Sequence, residues 1–165
     1  MSTPGEFPRF LDEWREINGP DFTPLSYLNQ EDGIPFVIAA QWLYAPHFFE
    51  YRGAIFRSVR PEGRSEKGLR TLDGWFDYFD GDIPKVERNG NTLTLWDFFV
   101  GIDIDKYDAD LSGMANTLAR VWGALLRVEF PDRNFRVRVF DADEYGPQVT
   151  FHSEELASGP DGEVN

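Results

Sequence analysis

The sequence predicts an α+β fold: one domain with a largely antiparallel sheet of about four to six strands packed against several helices, the longest near 111–129. Three observations carry this expectation. Leu111, Met114, Ala115, Leu118, Val121, Trp122 and Leu125 recur at i, i+3 and i+4, the spacing of one helical face. The stretch "NFRVRVF" alternates strictly, with Phe135, Val137 and Val139 on one side, as a half-buried strand requires. Strand-like segments also occur as sequence neighbours joined by short turns, the arrangement of hairpins rather than of parallel crossovers.

Taken in order, "FPRFLDEWREI" places Phe7, Phe10, Leu11, Trp14 and Ile17 at helical spacing, and Asn18-Gly19-Pro20 ends that helix. Thr23-Pro24 reads as a cap followed by a first-turn proline, opening a short helix that stops near Asp32-Gly33. "IPFVIAAQWLYAP" is apolar on nearly every face, which predicts a buried helix ending before Pro46, with a core strand as the alternative. Aromatic and β-branched residues on both sides of Arg52-Gly53 predict strands at about 47–52 and 54–60. "RPEGRSEKG" reads as a polar loop, and "TLDGWFDYF" as a helix with Leu72, Trp75, Phe76 and Phe79 inward. In "KVERNGNTLTLW", Asn89-Gly90 suits a two-residue type I′ turn and sets Val86 opposite Leu93. "QVTFH" is the last strand, and the expected domain spans 1–157 with a frayed tail at 158–165.

Composition bounds the function. The 165 residues contain no cysteine, which excludes disulfides, thiolate metal sites and cysteine nucleophiles. There are 29 acids against 16 bases, a net charge of -13, so the chain repels phosphate backbones and is steered towards basic partners. The first residues, "MSTPGEFPRF", lack a basic region followed by an apolar run, and no apolar run reaches membrane-spanning length, so neither a secretory signal nor a membrane span is expected. The expectation is a cytoplasmic protein with no nucleic-acid or membrane partner. Charge is uneven: between Leu72 and Met114 there are ten acids against Lys85, Arg88 and Lys106.

Part of that run is "GIDIDKYDAD", four aspartates in ten residues. An EF-hand loop needs oxygen ligands at positions 1, 3 and 5, glycine at 6 and glutamate at 12. Counting from Asp103 puts Tyr107, Asp108 and Met114 at positions 5, 6 and 12, and "DADEYG" from Asp141 fails at Tyr145 and His152. Asp108 or Asp110 fits better as the cap of the long helix. Asp103 and Asp105 alternate with Ile102 and Ile104, as a short extended segment with one wet face would. His47 and His152 are the only histidines, and both fall on strand segments. No G-x-S-x-G, P-loop or G-x-G-x-x-G occurs, so no catalytic residue, metal or cofactor is assigned.

The segments "APHFFEYRGAIF", "LWDFF", "ANTLARVWGALLRVEFPDRNF" and "YGPQVTF" resemble a family of small bacterial proteins with no assigned activity, over roughly 34–151. Where that family carries a histidine-containing segment, this chain has "ERNGNTLTLWDFF", so no histidine role carries over. The resemblance implies a bacterial single-domain protein and no activity.

Aromatics make up 16% of the chain, and in "WFDYF" one helix face cannot bury every ring, so Tyr78 should stay exposed beside Asp77 and Asp80. In "LWDFF" one of Phe98 and Phe99 must likewise turn outward if the strand continues. Carboxylates around exposed rings have the composition of an interface. The expected function is therefore non-enzymatic binding of a basic protein, in the manner of an immunity, inhibitor or adaptor protein. The expected face comprises Asp73, Asp77, Tyr78, Asp80, Asp82, Asp97, Asp103 and Asp105. The alternative is a small-molecule or carboxylate-based catalytic domain with a pocket near Trp42, Glu50 and Trp96.

Overall fold

The computed structural model describes residues 10–29, 31, 33–99, 104–142 and 145–154. Helices α1 (Leu11–Asn18), α2 (Pro24–Leu28) and α3 (Gly33–Tyr44) come first. The hairpin of β1 (His47–Tyr51) and β2 (Ala54–Ser58) follows, then α4 (Glu66–Tyr78) and α5 (Ile83–Asn91). A two-residue β3 (Leu93–Thr94) and two 3₁₀ turns (Leu95–Phe98, Ile104–Tyr107) lead into α6 (Asp108–Glu129) and the hairpin of β4 (Asn134–Ala142) and β5 (Gly146–Glu154).

This is α+β, but the expected sheet of four to six strands is divided. Among the described residues, five antiparallel strands form a two-stranded sheet, β1-β2, and a three-stranded sheet, β3-β5-β4. Helix α6 buries Leu111, Ala115, Leu118, Trp122 and Leu126 against Val149 and Phe151 of β5. Each of the leucines contributes about 1.5–3 kcal/mol through the apolar area it removes from water. A second core joins Ala54 and Phe56 of β2 to Leu72 and Phe76 of α4 and Val86 of α5. Strand β2 is the partition, since Ile55 points into the first core while its neighbours on either side point into the second.

The gap between the sheets is closed by side chains of α5 instead of by strand pairing. The outward edge of β2 presents the N–H groups of Ile55 and Arg57 and their carbonyls. Ile55 N–H donates to Glu87 Oε1 at 2.8 Å and Arg57 N–H to Asn91 Oδ1 at 2.9 Å. Asn91 Nδ2 donates to the Ile55 carbonyl at 2.9 Å, and Arg64 covers the Arg57 carbonyl at 3.3 Å. On the opposite side, Ser153 of β5 donates its N–H and its hydroxyl to Glu87 Oε2, at 2.5 and 2.6 Å. Glu87 and Asn91, one helical turn apart and both fully buried, thus serve two strand edges at once.

The structure departs from the sequence expectations at several places. Asn89-Gly90 is no hairpin: both residues lie in α5, and Val86 and Leu93 are not cross-strand partners. Gly90 is there for close approach, because a Cβ at that position would lie 2.7 Å from Cε1 of Phe56. Positive φ at two successive turn residues occurs instead at Arg52 (52°) and Gly53 (83°), between β1 and β2. The strain at Arg52 is offset by its ion pair with Asp73 (3.0 Å) and by the position of its guanidinium 4.3 Å from the Phe76 ring centroid. The loop expected from "RPEGRSEKG" gives way to α4 at Glu66, capped by Ser65. The strand expected from "LWDFF" is a 3₁₀ turn with Phe98 exposed. Helix α2 ends at Leu28, short of Asp32-Gly33.

Helix α3 forms as expected but is not buried. Ile34, Phe36, Val37 and Ile38 are half or more exposed, while its C-terminal Leu43 and Tyr44 reach the first core. The all-round apolar pattern reports a need for cover, and among the described residues only the end of the helix receives it. At the other long helix, Asp108 and Asp110 lie inside the first turn of α6 and Tyr107 occupies the cap position without a side-chain cap bond, so neither aspartate caps by the expected geometry. Residues 104–107 form a 3₁₀ turn rather than an extended segment, and Asp103 lies outside the described residues.

Candidate functional site

The expected face resolves into a compact part and a dispersed part. Asp73, Asp77, Tyr78, Asp80 and Asp82 come together on α4 and the turn into α5. Asp97 sits elsewhere, exposed on the 3₁₀ turn that follows β3. Asp105 lies in the next 3₁₀ turn, with its side chain outside the description, and Asp103 is outside the described residues altogether.

Within the compact part the five residues have different roles. Asp73 is structural: it accepts from Tyr51 Oη and from Arg52 Nη1, both at 3.0 Å, and it raises the phenol pKa of Tyr51. Asp82 caps α5, accepting from Lys85 N–H at 3.2 Å and pairing with Lys85 Nζ at 2.7 Å. These hydrogen bonds to Lys85 hold the Asp82 carboxyl below its ordinary range. Asp77 and Asp80 are exposed and form no ion pair among the described residues.

Local geometry sets the backbone positions of Asp77 and Asp80. Helix α4 ends in a Schellman arrangement: Gly81 N–H donates to the Phe76 carbonyl at 2.9 Å and Asp80 N–H to the Asp77 carbonyl at 3.4 Å. Asp80 takes the left-handed position of this motif, φ 50°, where glycine is the usual occupant. Asp77 and Asp80 also sit at the negative end of the helix dipole, and the last turn of α4 has no basic residue. Both placements act against local stability.

Beside them is an aromatic shelf. Trp75 and Phe79 stack at 5.8 Å and 18°, and Tyr78 meets Phe79 edge-on at 4.8 Å. Tyr78 is 74% exposed, as the helical pattern required. The shelf forms one wall of a cleft of 640 Å³, whose other wall carries Lys85, Arg88 and Asn89 of α5. Lys85 is already paired with Asp82, so among the described residues Asp77, Asp80 and Arg88 are the charged side chains near the shelf that form no ion pair.

Other expected chemistry is not assembled in this way. Trp42, Glu50 and Trp96 line neither this cleft nor the second concave region described below, and Glu50 pairs with Arg133 at 2.8 Å. His47 and His152 lie on separate sheets; His47 rests against Trp42 at 5.2 Å, and His152 is cross-strand from Arg136. Burial, and secondarily Arg138, pushes the His152 pKa down. Among the described residues no three of His, Asp and Glu are grouped to hold a metal ion, and no helix is long and apolar enough to cross a membrane.

Sequence reasoning passed over Glu87 and Asn91, counting Glu87 with the surface acids. The signal available was helical: an Asp-Ile-Pro start, then Ile83, Val86, Glu87, Gly90 and Asn91 on one face. Compared with known proteins, the chain matches no family model, no curated protein and no solved structure.

Proposed function

We propose that this chain is a non-enzymatic binding domain that recognises a basic protein through the C-terminal end of α4, with Tyr78 as the anchor and Asp77 and Asp80 as the charges. The carrying observation is the conjunction at that helix end: a ring 74% exposed, and two free carboxylates placed where helix dipole and backbone geometry disfavour them. Local rules are broken together where function outweighs local stability. A lysine or arginine of the partner would lie on the face of Tyr78 or Trp75, a contact of about 0.5–1 kcal/mol at an exposed site. Its charge would meet Asp77 and Asp80. The net charge of -13 steers such a partner in, an effect screened over roughly 8 Å at physiological salt. The exposed apolar flank of α3 separately favours an interaction role, since large contiguous apolar patches are uncommon on free-standing domains.

The test is capture of partners by the tagged protein from its producing cells, in parallel with Tyr78→Ala and the pair Asp77→Lys, Asp80→Lys. These positions are exposed, so both variants should keep the wild-type circular dichroism. A basic protein retained by the wild type at low salt and lost from both variants supports the reading. Identical captures by all three proteins overturn it.

A further inference from the structure

At the opposite end of α4 lies a second concave region, of 480 Å³, lined by Arg57, Arg60, Arg64, Ser65, Gly68 and Gly90 among others. Its charge runs against that of the chain. Among the described residues no aspartate or glutamate lines it, and none of the three arginines takes part in an ion pair, a condition that Arg88 on the neighbouring cleft shares. In a chain with 29 acids and 16 bases, three arginines on one basin whose described lining holds no carboxylate are a local reversal of charge, and Glu62 of the same loop is exposed and does not line it.

We propose that this basin binds a phosphate-bearing small molecule, its phosphate held by Arg57, Arg60 and Arg64 over the first turn of α4. Arg57 and Arg64 are preset for the task. Arg57 donates through Nε to the Asn91 carbonyl and through Nη2 to the Thr92 carbonyl, both at 3.1 Å. Arg64 Nη2 donates to the Gly90 carbonyl at 2.6 Å. These bonds fix both guanidinium planes at the C-terminal end of α5 and leave Nη1 of each without an acceptor among the described residues. The carbonyls orient the cations without cancelling their charge. Burial, and then the nearby Arg64, lowers the Arg57 pKa to about 10, a penalty that a bound dianion relieves.

Arg60 completes the set and carries the discrimination between a structural and a binding role. Arg57 and Arg64 also cap α5 and the β2 edge. Arg60 is exposed, and its guanidinium makes no bond among the described residues, yet it lines the basin. The floor is the start of α4, where Ser65 Oγ accepts from Gly68 N–H at 3.4 Å. The N–H groups of Glu66 and Lys67 have no acceptor within the helix by its geometry, and anions favour such ends. The Glu66 carboxylate is turned to Arg70 at 3.1 Å. Three guanidiniums match a phosphate dianion in charge and in donor geometry better than they match a single carboxylate.

The experiment is an amide NMR titration of the full chain with inorganic phosphate at pH 7.5, against sodium chloride of equal ionic strength and against acetate, in wild type and Arg60→Gln. Saturable shifts at Gly63, Gly68 and Gly90 with phosphate alone, weakened about tenfold in Arg60→Gln, are the expected result. Shifts that follow sodium chloride, equal affinity for acetate, or saturation unchanged by Arg60→Gln would each overturn the proposal.

Discussion

Glu87 carries a prediction about what holds the two sheets together. Its carboxylate accepts three hydrogen bonds, from Ile55 N–H on one sheet and from Ser153 N–H and Oγ on the other, and it is fully buried. Truncation in Glu87→Ala leaves two backbone donors without an acceptor, and each orphaned donor costs about 1–3 kcal/mol. The Ser153 hydroxyl can rotate to another acceptor, so the expected loss is about 4 kcal/mol, a large share of the roughly 5–15 kcal/mol of a typical domain. Glu87→Gln is the sharper test because it keeps shape and volume. One amide oxygen still accepts, but the amide NH₂ confronts at least one N–H donor, and the expected loss is about 2 kcal/mol. Urea unfolding followed by tryptophan fluorescence and far-UV circular dichroism reads both, with Trp122 reporting from the first core. An unchanged urea slope with a shifted midpoint would show that only stability moved. A Glu87→Gln protein within about 0.5 kcal/mol of wild type would refute the bridging role, since that is the scatter of ordinary surface substitutions.

Two further outcomes follow from the same packing. Asn89→Ala should be neutral within about 0.5 kcal/mol in urea unfolding, because Asn89 is an exposed helical residue. Gly90→Ala should cost about 1–3 kcal/mol, because the added Cβ overlaps Phe56, despite a gain of about 1 kcal/mol in helix propensity. A cost above about 1 kcal/mol for Asn89→Ala would instead fit the discarded turn. On acidification, stability should fall as pH drops below about 6.5, the ordinary histidine value. His152 has a lowered pKa in the fold, so in that window the unfolded chain binds more protons than the native one. His152→Gln should flatten the fall in urea midpoint between pH 7 and 5; an equal or steeper fall in the variant counts against it.

Helix α6, the β1-β2 and β4-β5 hairpins and the exposure of Tyr78 were legible because each rests on local periodicity: 3.6 for the helix, 2 for the strands, one inward face for "WFDYF". Helix α5 was not legible by the same means, because its inward face is polar. Glu87 and Asn91 point inward, so a search for apolar spacing finds only Ile83 and Val86 before the Asn-Gly pair takes over. Asn-Gly favours a turn only where positive φ is needed; here the same glycine serves a tight helix-to-strand contact, and Arg52 adopts the positive φ with tertiary support. The divided sheet has the same origin, since the edges of β2 and β5 are satisfied by two side chains whose partners lie 32 to 66 residues away. The acidic face was legible in composition and only partly in space. Asp73 and Asp82 are spent on structure, and that distinction depends on Arg52 and Lys85 being within reach.

Helix α4 carries both proposed sites, one at each end. Thirteen residues at 1.5 Å rise set the ends about 20 Å apart, more than twice the roughly 8 Å screening length at physiological salt. Direct electrostatic coupling between a phosphate at the arginine basin and a basic partner at Tyr78 is therefore small. Any coupling would run through the packing of α4 on α5, where Leu72, Phe76 and Val86 share one core and Gly90 meets both Phe56 and Leu72. Arg60→Gln lies outside that core, and so do the substitutions at Asp77, Tyr78 and Asp80. Each set should therefore leave the other site intact, so loss at one end together with retention at the other is informative about that end alone.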